Sequence, residues 1–373
     1  MLRRLAWTAA LLCAAAALIL HPQVCMQAVR DSLALCGETI VPSLFPFFVL
    51  SGMVVELGLA GALGRLLERV MWPLFRVGGS GATALVLGLV GGYPVGARTA
   101  VELYRTGQCS RTETERLLAF CNNSGPAFVL GVVGAGVFGS TRTGALLYLV
   151  HVAASLCVGV LFRFYGAQGE KTGGGVPHTV GAVRISEAFT GSVRAALSGV
   201  LNVCAFVVTF GVLNRLLEET GLLGGAAQLL AVVGMDAEQA HQLLRGLLEV
   251  SSGVSGLTGE GRLTIAAFLL GWAGLSVHCQ VMNLLADSGL RANTYLAGKA
   301  LHGAVSAALM TGLGRLFPQV LPAVGWLGRP ENQLSGVWMA VVAAWLLWTL
   351  FLIVAAGDEK CEKKGGKGRR VAV

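Results

Sequence analysis

The residues able to do chemistry fall in four short polar or glycine-rich strings set inside apolar runs. They are Gly91-Gly92-Tyr93-Pro94-Val95-Gly96 with Arg98 just behind, Asn122-Asn123-Ser124-Gly125-Pro126, Glu249 to Gly256, which holds Ser251, Ser252 and Gly253, and Gly271 to Gln280, which holds Gly274, Ser276 and His278. Proline lacks an amide donor and clashes one turn back, and glycine loses more freedom in a helix than any other residue, so each string predicts a helix break. Peptide groups freed in an apolar medium cost several kcal/mol each unless they are buried in protein or line a polar cavity. Four breaks in one chain therefore imply such a cavity. The half-helix after a break offers amides and a partial positive charge, which suit a carboxylate or another anionic or polar group.

Within that frame each side chain has two readings. Asn122, Asn123 and Ser124 either cap the helix beyond Pro126 or contact a ligand. Arg98 is expected deep in the protein, where it needs water, an anionic ligand or an ion partner such as Glu102 one turn later. Glu249, beside Ser251 and Ser252, reads as a relay or hydrogen-bond acceptor for a ligand, or as the mate of a buried arginine. Tyr93 either stacks on an aromatic ligand or packs between helices. His278, Gln280 and Ser276 are polar lining, and the histidine could equally satisfy an interhelical bond.

Catalytic patterns are missing. No HExxH, nucleophile elbow or clustered His and carboxylate set occurs, so neither a catalytic nor a metal-binding residue is assigned and no cofactor is expected. Gly134, Gly136 and Gly139 match GxGxxG but lie in an apolar helix, where helix packing is the better reading. The glycines at 91 and 96 imitate a P-loop, yet Ala97 and Arg98 stand where Lys and Ser or Thr are required.

The 373 residues are 54% hydrophobic and only 13% charged, with mean hydropathy +0.69. That excludes a soluble enzyme, a disordered chain and a nucleic-acid binder, and leaves an all-α polytopic membrane protein. Glycine occurs 52 times, as suits closely packed and interrupted membrane helices. The net charge of +8 is accounted for by basic loops. The nine cysteines mostly sit in apolar runs and read as small buried hydrophobes.

Along the chain, residues 1–29 read as one N-terminal membrane helix, 165–185 as a polar glycine-rich linker, 319–356 as a C-terminal membrane helix and 357–373 as a basic tail. Pro46 predicts a further break in the run that starts near Ile40, and Arg65 to Arg76 an amphipathic surface helix. A faint repeat connects 30–164 with 186–318: Ala34, Leu35 and Gly37 are answered by Ala196, Leu197 and Gly199, and Glu56 by Glu218 at the same offset. Interrupted segments at matching places in two halves point to a transporter site.

The strings Ser43-Leu44-Phe45-Pro46-Phe47-Phe48, Gly92 to Arg98, Phe120 to Pro126 and Gly274 to Gln280 resemble the sporulation integral membrane protein YlbJ family, of the nucleoside-recognition or Gate group. The resemblance, over roughly residues 30–316, implies two Gate-like repeats similar to concentrative nucleoside transporters, adds Ser43 to the binding set, and implies transport of dipicolinate, a small aromatic dicarboxylate, through the outer forespore membrane. The expected partners are that small molecule and the lipid bilayer, with no nucleic acid and with a homo-oligomer left open. The alternatives are a nucleoside or other neutral cargo, and a non-transporting scaffold or sensor in spore assembly.

Overall fold

A computed structural model describes residues 2–57, 59–166, 184–232, 235–259 and 261–316. The expectations for 319–356 and 357–373, and for most of the linker at 165–185, lie outside the described residues, as does the side chain of Ser43. Every regular element among the described residues is helical. In order they are α1 (Leu2–Leu20), α2 (Pro22–Leu35), a π-helical turn π1 (Cys36–Ile40), α3 (Val41–Glu56), α4 (Leu59–Phe75), α5 (Gly81–Gly91), α6 (Val95–Arg105), α7 (Arg111–Phe120), a longer π-helix π2 (Ala127–Val137), α8 (Thr141–Phe162), α9 (Ile185–Glu219), α10 (Leu222–Val232), α11 (Ala237–Leu248), α12 (Val250–Ser255), α13 (Arg262–Trp272), α14 (Gly274–Leu285) and α15 (Asn293–Leu316).

Helix α8, helix α9 and the stretch 262–285 are long and apolar enough to cross a bilayer. Large apolar side chains stay exposed on their outer faces, among them Leu149 and Leu161 on α8 and Leu197 and Leu201 on α9. A bilayer solvates such surfaces where water would not, and the chain is an integral membrane protein. The 35-residue α9, about 52 Å long at 1.5 Å per residue, buries one stripe through Ala188, Ser192, Ala196, Val200, Val203 and Val207. That stripe meets α3 at close range: Phe48 lies on Gly199, and Ser192 stands against Gly52. Small residues at these crossings let the backbones approach, which supplies the contact that helices in lipid need.

Two breaks fall elsewhere than the sequence predicts. Residues 1–29 are not one helix, because the axis turns by 93° between Leu20 and Pro22. Proline pushes the residue before it out of the helical region, and His21 has φ −121° and ψ 51°. Pro46, by contrast, lies inside an unbroken α3. In the second turn it withdraws a single bond, the one to the Pro42 carbonyl, and the irregularity sits upstream in π1.

All four strings interrupt a helix, but α12 forms inside the third and the fourth is helical except at Ala273; the interruptions associate in pairs. Helices α5 and α6 part at Gly92-Tyr93-Pro94, where Gly92 has φ +77° and the Tyr93–Pro94 peptide is cis. Helix α7 and π2 part at 121–126. A Cβ on Gly92 would come 2.9 Å from the Gly125 amide, so these two breaks touch through bare backbone. Gly96 and Gly88 likewise press on the Cys121 carbonyl. Helices α11 and α12 part at Glu249, and α13 and α14 at Ala273, a left-handed non-glycine residue with φ +80°. A Cβ on Gly274 would stand 3.0 Å from the Val250 amide, which joins this second pair. Gly253 is not itself a break: it lies within α12 and seats that short helix on Gly246.

Gly96→Ala is expected to lower the stability of the purified protein in detergent by about 1–3 kcal/mol, since its methyl has only carbonyl backbone to displace. Gly224→Ala, in α10 with nothing within 4 Å of the new methyl, is the control and should be neutral or mildly stabilising in the same thermal melts.

Candidate binding site between the breaks

All four breaks contribute to one internal cavity of about 70 Å³. Tyr93 comes from the first, Ser124 and Gly125 from the second, Glu249 and Ser251 from the third, and Ser276 and Gln280 from the first turns beyond the fourth. The remaining wall is apolar, built from Ile40 and Leu44, Phe128 and, on α9, Val203 and Val207. The space holds several waters, since one water needs only about 10–15 Å³ measured in this way. An apolar wall with a few convergent polar groups is what a small-molecule site requires.

The helix ends around this cavity are not equally free. Glu249 caps α12: one carboxylate oxygen accepts from the Ser251 amide at 2.9 Å, and the other from the Ser252 amide and hydroxyl, each at 2.7 Å. The carboxylate at the third break is thus held by its own helix. Asn122, Asn123 and Ser124 do not cap π2, whose first residue follows Pro126 without a side-chain bond. Asn123 donates to the Phe120 carbonyl at 2.9 Å. Asn122 and Ser124 are fully buried yet leave their side-chain polar atoms without hydrogen bonds: Ser124 Oγ lies near the Tyr93 hydroxyl, and the Asn122 amide near that of Tyr295, neither in bonding geometry. Gln280 Oε1 is also unpartnered. Buried polar atoms left open beside a cavity are acceptors and donors available to a ligand.

Arg98 is not deep. Its side chain is exposed in a second, larger chamber of about 610 Å³, together with Glu56, Glu102, Arg105, Asn202 and Asn283, and reaches only the Ala195 carbonyl, at 3.5 Å. The break places Tyr93 in the small cavity and Pro94 and Val95 in the large one, so Arg98, three residues past Val95, faces the wider space. His278 is a packing group: Nδ1 bonds Tyr295 Oη at 2.9 Å and the ring meets Trp272 edge-on at 4.4 Å.

Behind Tyr93 stands a group of residues that the sequence reading passed over. Helix α15 carries Tyr295, Lys299, His302 and Ser306 on its buried stripe, and Lys299 is fully enclosed. Its ammonium donates to the Asn122 carbonyl at 3.0 Å and to Tyr93 Oη at 3.3 Å, and lies 3.3 Å from His302 Nδ1. The rings of His302 and His151 are 4.3 Å apart, and His151 Nε2 accepts from the Ser124 amide at 3.0 Å. A lysine in the middle of an otherwise uncharged stretch from 293 to 314 was the available signal.

Residues 38–170 match a family model described as Gate, nucleoside recognition. The chain is also 32% identical over 322 residues to the sporulation integral membrane protein YlbJ of Bacillus subtilis (strain 168), covering 78% of each sequence. No solved structure matches the chain.

Tyr93→Phe leaves the Lys299 proton and the Leu270 carbonyl, to which Tyr93 donates, without a partner; it should cost about 1–3 kcal/mol of stability. Ser124→Ala removes an oxygen that bonds nothing and should stay within about 0.5 kcal/mol of the parent in the same detergent melts.

Proposed function

The chain belongs to the family of the sporulation integral membrane protein YlbJ, and on that premise we propose that it is a sporulation transporter that carries a small organic anion, dipicolinate first of all, from the mother cell through the outer forespore membrane. One observation carries the reading: four helix breaks, distant in sequence, deliver their polar residues to a single cavity inside an integral membrane protein. A scaffold has no use for broken helices around an internal space, because every broken turn costs hydrogen bonds. The association of the first break with the second, and of the third with the fourth, supports two related halves, 30–164 and 186–318.

Binding falls to Tyr93, Ser124, Ser276 and Gln280, with Asn122 supporting them from behind. The planar ring of an aromatic dicarboxylate suits the slot between Tyr93, Phe128 and the valines of α9. A second reading, a neutral nucleoside cargo, is favoured by the description of the matching family model and by the Glu249 carboxylate on the cavity wall, which would accept sugar hydroxyls.

Uptake of labelled dipicolinate into proteoliposomes decides between them. Transport is expected in the parent, at least tenfold reduced in Ser124→Ala despite unchanged stability, and indifferent to excess nucleosides. Nucleoside uptake with dipicolinate inert would replace the first reading by the second.

A further inference from the structure

The hydrogen bonds around Lys299 favour its protonated form by their direction. Tyr93 gives its proton to the Leu270 carbonyl, so its oxygen is an acceptor toward Lys299. The Asn122 carbonyl can only accept. His302 Nε2 faces the His151 carbonyl at 2.9 Å and must carry the ring proton there, which leaves Nδ1, in the neutral imidazole, as a lone pair directed at Lys299. Three acceptors surround Nζ, and an ammonium has three protons to give. The Tyr93 ring face, 5.0 Å from Nζ, adds a further preference for a cation.

The bonds are satisfied but the charge is not. Lys299 is 0% exposed, and among the described residues it forms no ion pair. The titratable groups around it are His302 on its own helix, His151 on α8, Tyr93 and Cys121 at the breaks, and Tyr295 and His278. None is a carboxylate. A glutamine would tie such acceptors together without bringing a charge into the interior, so a structural tie alone does not account for a lysine here.

We propose that Lys299 supplies the countercharge for the cargo: a positioning residue one layer behind the cavity, whose field reaches an anion through the Tyr93 hydroxyl and the Asn122 peptide. This rests on the organic-anion reading and names the source of its charge selectivity, in place of Arg98. Between low-dielectric walls a positive charge acts over several ångströms, and it orients one carboxylate of the cargo toward Tyr93 and Ser124.

The test compares dipicolinate with its uncharged diamide, pyridine-2,6-dicarboxamide, by ligand-induced thermal stabilisation of the full chain in detergent. Lys299→Met removes the charge and its donors, and Lys299→Gln removes the charge while keeping N–H donors; the second serves should the first not fold. The wild type should prefer dipicolinate over the diamide, and in the variants dipicolinate affinity should fall tenfold or more while the diamide changes less than about twofold. Dipicolinate bound by Lys299→Gln as tightly as by wild type overturns the proposal. So does a fall of both ligands in equal proportion, which marks a structural role. Wild-type protein stabilised by nucleosides or the diamide, and by dipicolinate not at all, removes the organic-anion reading itself and this inference with it.

Discussion

Everything in this molecule depends on one constraint: a peptide group without a hydrogen bond is intolerable in hydrocarbon. An interrupted helix has to find a place where its loose ends are covered, and the places available are other interrupted helices. Gly92 against Gly125, and Gly274 against Val250, are the result, backbone lying on backbone with no side chain between. Once two such contacts exist, the remaining polar ends have one shared volume to face, and that volume is the cavity. The high glycine content follows from the same requirement, since only a residue without Cβ lets carbonyl and Cα come that close.

The polar interior is graded, not uniform. Glu249 is held by the amides and hydroxyl of its own short helix, while Lys299 is held by three neutral oxygen and nitrogen acceptors and meets no carboxylate. The two charged residues nearest the cavity are therefore held in opposite ways, one by donors and one by acceptors.

The sequence made the breaks legible because proline, paired glycines and Asn-Asn-Ser strings are local signals, and helix termination is a local event. It misplaced Pro46 and the turn at His21 because whether a proline bends a helix depends on what packs beside it. Arg98 was expected to be buried from its distance along the chain from a break, but burial depends on which side of the break a helix face looks, and that is set by α9 and α14 far away in sequence. The reverse error hid Lys299, His302 and His151. They gain their meaning only when α15 is laid against α7 and α8, and the one local cue was a lysine in an otherwise uncharged stretch. Glu249 was recognised as important, and its actual bond partners are its neighbours two and three residues on.

Both chambers are walled by the same rod. Ser192, Ser198 and Asn202 of α9 face the wide one, and Val203 and Val207, a turn or two further along, face the narrow one; on α3 the same division separates Phe48 from Leu44. Because α9 runs unbroken past both, the two chambers share one continuous wall, on which the Phe48 ring rests at Gly199. One uninterrupted helix thus sets a boundary of both compartments at once.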